Sequence, residues 1–181
     1  MGDSTVVDHA HRLAPAAPDE SHVYGACAPG WHSAADHDVA VAQWIDSMRD
    51  RGIERVCCLL SGMDLDAENG NLARYRRAFG RDRVRHAPIA DRHLVDAATL
   101  EETILPFLAD GVERNEPIVV HGVAGIGRTG QVLAAWLVAG RDYEPRAAVD
   151  AVRQTGREPR EPVRHGNATM ADLHGLLRGL E

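Results

Sequence analysis

Residues 118–130 read Ile-Val-Val-His-Gly-Val-Ala-Gly-Ile-Gly-Arg-Thr-Gly, an apolar strand that passes through a glycine-rich turn into a helix. Such a turn offers successive backbone N–H groups to an anion, and the helix start adds the positive end of its dipole. Gly122, Gly125 and Gly127 permit close approach of the backbone to a ligand. Arg128, in the first helical turn, can lay a planar guanidinium across the same spot and bind two phosphate oxygens at once. The pattern is that of an oxyanion cradle with a bidentate clamp, formed by Gly122, Val123, Ala124, Gly125, Ile126, Gly127 and Arg128. It lacks the Gly-Lys-Ser/Thr ending of a nucleotide-binding loop and is too short for a dinucleotide fingerprint.

Elements that alternate along the chain must position this loop. His22–Ala26 reads as a strand and Asp36–Arg51 as a helix with Val41, Trp44, Ile45 and Met48 on one face. Arg55–Leu60 is a strand apolar on both faces, Asn71–Phe79 a helix, and Arg83–Ile89 a strand. Thr99 to Glu102 has the form of a capping box opening a helix that Pro106 could kink. Pro117–His121 is the strand before the loop, and helices follow over Arg128–Ala139, Pro145–Gln154 and Asn167–Arg178. Strands alternating with helices predict a three-layer α/β sandwich around a mainly parallel sheet of four to five strands. Residues 1–20, polar and rich in Pro and Ala, are expected to form a loosely ordered arm ahead of a single domain over 21–181.

With these residues in view, the loop resembles that of the cysteine-dependent protein phosphatases, whose pattern is His-Cys, five residues, Arg, then Ser or Thr. His121, the spacing to Arg128, and Thr129 match. Pro88-Ile89-Ala90-Asp91, with Asp91 lying 31 residues before Gly122, is similar to the segment that carries the general acid in compact dual-specificity phosphatases. The resemblance covers about His22 to Arg178. It implies a phosphatase-like domain with His121, Gly122, Arg128, Thr129 and Asp91 at the catalytic positions. Asp91 would be the proton donor, Thr129 would support the nucleophile, and a phosphorylated protein or small phosphoester would be the partner.

One position departs from the pattern. Gly122 stands where the family has its nucleophilic cysteine. The family's route attacks phosphorus with a thiolate and hydrolyses a phosphocysteine, and glycine has no atom for that bond. The loop amides and Arg128 survive the replacement, and a phosphate dianion no longer meets a thiolate beside it. The sequence resembles glycine-bearing pseudophosphatases in this respect, and a catalytically impaired phosphoryl-binding domain is the expectation. The alternative is an active phosphomonoester hydrolase in which Gly122 is an introduced or variant substitution, or in which water attacks with help from Asp91.

Composition narrows the partners. Of 181 residues 20 are basic, all Arg, and 27 acidic, giving a net charge of −7 that disfavours nucleic acid and anionic membranes. No apolar run approaches the roughly 18–20 residues of a membrane span, and the start lacks the features of a secretory signal. A cytoplasmic monomer is expected. Cys27, Cys57 and Cys58 have no metal-ligand spacing, and no metal or cofactor is expected; Cys57 and Cys58 should point to opposite faces of their strand as core thiols. Asp8, His9 and His11 are read as part of a solvated arm. His86 and His93 flank the acid segment as surface histidines, although His93 could contact substrate. Arg74, Arg76, Arg77, Arg81, Arg83 and Arg85 could steer anions but suit a solvated face better. Asp96 is the second candidate acid and fits a helix cap; Asn167 is a candidate lining residue.

Overall fold

The computed structural model describes residues 11–31, 35–67 and 71–181. Asp8 and His9, with the rest of residues 1–10, lie outside the described residues. Five strands form one sheet: β1 (Ala14–Pro15), β2 (Val23–Ala26), β3 (Arg55–Cys58), β4 (Val84–His86) and β5 (Ile118–His121). Their order is β1-β2-β5-β3-β4, with β1 antiparallel and the other pairings parallel. Helices are α1 (His37–Asp50), α2 (Gly62–Ala67), α3 (Asn71–Phe79), α4 (Leu105–Glu113), α5 (Gly127–Arg141), α6 (Pro145–Gln154), α7 (Glu161–Arg164) and α8 (Met170–Arg178). The expected sandwich is thus present, with five strands.

The runs of apolar residues in β3 and β5 have a simple cause. Each strand separates two cores, so both of its faces are dry. Ile118, Val120 and Cys57 face the core with α4, α5, α6 and α8; Val119, Val56 and Cys58 face the core with α1 and α3. The two adjacent cysteines therefore do point to opposite faces, and burial pushes the Cys57 thiol pKa up. Arg55, which opens β3, is buried too, and its charge is met by Asp110 and Glu116, each at 2.6 Å.

Several expectations need correction. Residues 11–20 are not loose: β1 pairs with β2, Ala16 and Ala17 are fully buried, and the carboxylate of Glu20 accepts from Arg141, Trp136 and the His22 amide. His11 belongs to this segment, its carbonyl accepting from the Cys27 amide. Thr99 does not open its helix with a capping box; Asp96 accepts from the Thr99 amide and hydroxyl, and a widened π-helical turn over Thr99–Ile104 precedes α4, so the distortion lies ahead of Pro106. The helix read over Asn167–Arg178 begins later, as α8, capped by Thr169 and Asp172, and the short α7 lies before that span, where no helix was expected. Helix α2 was not anticipated.

Candidate functional site

Parallel strands deliver their following loops to one edge of the sheet, and ligand crevices form there. Trp31 follows β2, Asp64 follows β3, Asp91 and Arg92 follow β4, and Gly122 to Thr129 follow β5. Together with Glu161 they line one cavity of about 340 Å³, room for a phosphoryl group and part of what carries it. Every loop residue named from the sequence, and Asp91, is in this lining.

The loop is held by its carbonyls. Gly122 O accepts from His121 Nδ1 at 2.9 Å, Val123 O from the Ala28 amide at 2.8 Å, and Gly125 O from Arg157 Nη1 at 2.6 Å. Ile126 O accepts from the Gly130 and Glu158 amides. With these oxygens bonded to the scaffold, they are kept from competing for the space where an anion would sit. Gly125 has φ +75°, and a Cβ there would stand 2.5 Å from Ala26 O, so this position requires glycine. A Cβ at Gly127 would collide with the carboxylate of Glu161, which packs on that face of the helix start.

Gly122 is different. Its φ is not left-handed, and a Cβ built on it meets Arg128 Nε at 3.4 Å, Thr129 Oγ1 at 3.7 Å and Arg128 Cβ at 3.8 Å. The backbone there does not require glycine. The Thr129 hydroxyl accepts from the Gly122 amide at 3.1 Å, so Thr129 touches the position assigned from the sequence.

Arg128 is 4% exposed, and its guanidinium is shared. Nη1 donates to Asp64 Oδ2 at 2.7 Å and to Ile89 O at 2.9 Å, while Nη2 lies 3.5 Å from Asp91 Oδ1. Burial alone would raise the Asp64 pKa, but hydrogen bonds from Arg128 and Ser61 outweigh it and hold the carboxyl below its ordinary range. Asp91 is 59% exposed at the cavity mouth. His121 is fully buried; burial is the main cause that lowers its pKa to about 4, so the ring is neutral at physiological pH. Arg157 is buried as well, donating to Gly125 O, Gly25 O and Arg12 O, and burial lowers its pKa to about 10.

Other candidates fall outside the cavity lining. Asn167 Nδ2 donates to Arg92 O at 2.8 Å, bracing the loop after β4 from outside. His93 Nδ1 donates to Asp91 O at 2.8 Å and His86 Nε2 to Leu60 O at 2.8 Å, both structural contacts. Asp96 caps the turn at Thr99. Of the arginine cluster, Arg74 pairs with Asp38, Arg83 with Glu116, and Arg85 lies over Phe107. Among the described residues, no group of three or more His, Cys, Asp or Glu side chains could hold a metal ion, and no helix is long and apolar enough to cross a membrane. Asp64, Arg157 and Glu161 were missed from the sequence. A signal for α2 was present, because Ser61 and Asp64 form a reciprocal cap, the Ser61 amide donating to Asp64 and the Asp64 amide to Ser61 Oγ.

Fold and loop together define a phosphatase-like α/β domain of the dual-specificity and tyrosine type. The chain belongs to the family described as "Polymorphic toxin system, DSP-PTPase phosphatase", whose model matches residues 32–141. Dual specificity protein phosphatase H1 of Variola virus is 35% identical over 54 residues, 30% of this chain and 32% of that protein. The corresponding phosphatase OPG106 of Vaccinia virus (strain Western Reserve) is 33% identical over the same length. The match therefore spans about a third of these viral relatives. Tk-PTP in its active form superposes with a TM-score of 0.66 at 22% identity, covering 86% of this chain and 93% of that one. PTPMT1 in complex with PI(5)P gives 0.67 at 13%, covering 92% and 97%. Kinase associated phosphatase carrying serine for its catalytic-site cysteine gives 0.65 at 20%, covering 84% and 87%. At these identities the likeness is one of fold.

Proposed function

We propose that this domain binds a phosphoryl group, carried by a phosphorylated protein or a small phosphoester, in the loop Gly122–Arg128, and that it does so without ordinary phosphatase turnover. The observation that carries the reading is the loop itself, with four carbonyls bonded to the scaffold and the Arg128 guanidinium in the same cavity. A dianion seated there would meet the loop amides, the α5 N-terminus and Arg128. Gly122 supplies no nucleophile, so no phosphoenzyme can form at that position, and uncatalysed phosphate-ester hydrolysis is among the slowest reactions known. Thr129, one residue beyond Arg128, is occupied with the Gly122 amide.

Titration with tungstate, a phosphate-like oxyanion, tests the reading. The wild-type protein should bind it, and Arg128→Met should weaken binding by on the order of 2–4 kcal/mol, the worth of a charge-assisted contact to a buried anion. Unchanged affinity in Arg128→Met would place the site elsewhere. Aryl-phosphate turnover by the wild-type protein should be undetectable.

A second reading is favoured by the geometry at Gly122. Because that backbone would accept a Cβ, and Asp91 keeps its place at the cavity mouth, the site is also compatible with an active phosphomonoester hydrolase in which glycine is a substitution. Ordinary turnover by the wild-type protein, free of contaminating phosphatase, would favour hydrolysis by water with Asp91 as the acid or base.

A further inference from the structure

A hydrogen-bond chain runs from the start of α1 to the phosphate loop. His37 Nε2 lies 2.7 Å from Asn71 Oδ1, Asn71 Nδ2 is 3.5 Å from Tyr75 Oη, and Tyr75 Oη is 3.1 Å from His121 Nε2. His121 Nδ1 then reaches Gly122 O at 2.9 Å. Asn71, Tyr75 and His121 are fully buried, although each carries polar atoms whose burial is costly unless they are paired.

The chemistry of each group fixes the direction of every proton. A carbonyl cannot donate, so the contact with Gly122 O requires the proton on Nδ1 of His121. The neutral ring has no second proton, so Nε2 must accept and Tyr75 must donate. The Tyr75 oxygen can then accept from the Asn71 amide nitrogen. At the far end, the Asn71 oxygen accepts from His37, which fixes which way the amide faces. All four donors point toward the loop, an arrangement in which each bond polarises the next. Asn71 and Tyr75 are one turn apart on α3, and the Trp44 ring packs on the two bonded rings, its centroid 5.2 Å from that of His121 and 5.1 Å from that of Tyr75.

We propose that His37, Asn71 and Tyr75 are positioning residues for the loop: their chain fixes the tautomer of His121 and so keeps the Gly122 carbonyl turned away from a bound anion. This rests on the phosphoryl-binding reading above. A carbonyl oxygen swung back into the cradle would place a negative partial charge beside the phosphate.

Nitrogen NMR of the His121 ring, combined with tungstate titration and thermal melts, tests it. Wild-type protein should show a protonated Nδ1 and a hydrogen-bonded, unprotonated Nε2. Tyr75→Phe should shift the Nε2 resonance to that of an unbonded nitrogen and weaken tungstate binding about tenfold, the effect of one lost hydrogen bond. His37→Leu should act in the same direction but less, and His37→Gln, which keeps an N–H donor, should restore wild-type behaviour. His37 opens α1 away from the cores, so its variants decide the matter if Tyr75→Phe does not fold. A wild-type ring protonated at Nε2 would overturn the proposal. So would Tyr75 and His37 variants that melt lower yet bind tungstate as the wild-type protein does. If wild-type protein binds no tungstate, the phosphoryl-binding reading fails, whereas the ring resonances still report whether the chain sets the tautomer.

Discussion

The guanidinium of Arg128 is already paired with Asp64 at 2.7 Å, so a dianion entering the loop shares its cation with a carboxylate of the fold. Asp64 does two things at once: it orients Arg128 through a hydrogen bond, and its charge repels an incoming phosphate. Asp64→Asn separates them, because the amide oxygen can still accept from Nη1 while the charge is gone. Tungstate affinity should rise about three- to tenfold in that variant, a gain expected from removing one nearby like charge. Weaker binding would mean that orientation outweighs repulsion. Gly122 offers the complementary test. Its surroundings accept a Cβ at ordinary contact distances, with Arg128 and the helix start beside it. Gly122→Cys should therefore give a thiol of depressed pKa, seen as alkylation by iodoacetamide well below the ordinary thiol range, together with aryl-phosphate turnover. In that background Asp91→Asn should lower turnover by about 100-fold without loss of tungstate binding, since the leaving oxygen loses its proton donor. A folded cysteine variant with neither reactive thiol nor turnover would show a cavity altered beyond its missing nucleophile.

At the scale of elements, the loop is stapled from behind. Arg157 follows α6 and donates to three carbonyls on three segments, Gly125 in the loop, Gly25 in β2 and Arg12 before β1. The segment that carries it is fixed by Glu158, which pairs with Arg160 at 2.9 Å and Arg164 at 3.0 Å. Arg157→Met would leave three inward carbonyls without their donor, costing about 3 kcal/mol or more in urea unfolding and weakening tungstate binding as Gly125 is released. Arg157→Lys, a point charge without the planar fork, should fall between. This staple also marks the limit of what the sequence discloses. The strand-loop-helix order, the apolar strands with two dry faces and the Gly-rich turn ending in Arg128 are local patterns, and they were legible. Arg157, Asp64 and Tyr75 act across separations of 32, 64 and 46 residues, and nothing in their own neighbourhoods names their partners. Residues 11–20 misled for the same reason. Their composition is that of a loop, and their order comes from a β2 edge and from Arg141, far away in sequence.

For the whole molecule, acid should act on the site and the core through one residue. His121 ends the central strand and closes the hydrogen-bond chain from α3, so its ring belongs to the scaffold as much as to the loop. Its pKa falls from an ordinary 6.5 to about 4, with burial as the largest cause. As pH drops below 6.5 the unfolded chain takes up this proton and the folded protein resists it, so stability is lost between pH 6.5 and about 4 and is fully present above that window. The slope attributable to this group approaches about 1.4 kcal/mol per pH unit within the window, on the order of 3 kcal/mol in all. Glu158 contributes in a lower range: hydrogen bonding to Arg160 is the main cause that lowers its pKa to about 2, so its contribution is lost as pH falls from 4.5 toward 2. The two windows scarcely overlap, and the histidine's share can be isolated. Urea unfolding from pH 7.5 to 4.5 should show stability falling steeply below pH 6.5 in the wild-type protein. His121→Asn keeps an N–H that can reach Gly122 O but has no titrating ring; it should be less stable at pH 7.5 and lose less as the pH falls. Parallel curves for the two proteins would mean that the His121 ring takes up its proton as readily in the folded protein as in the unfolded chain, and that burial does not hold it neutral in this window.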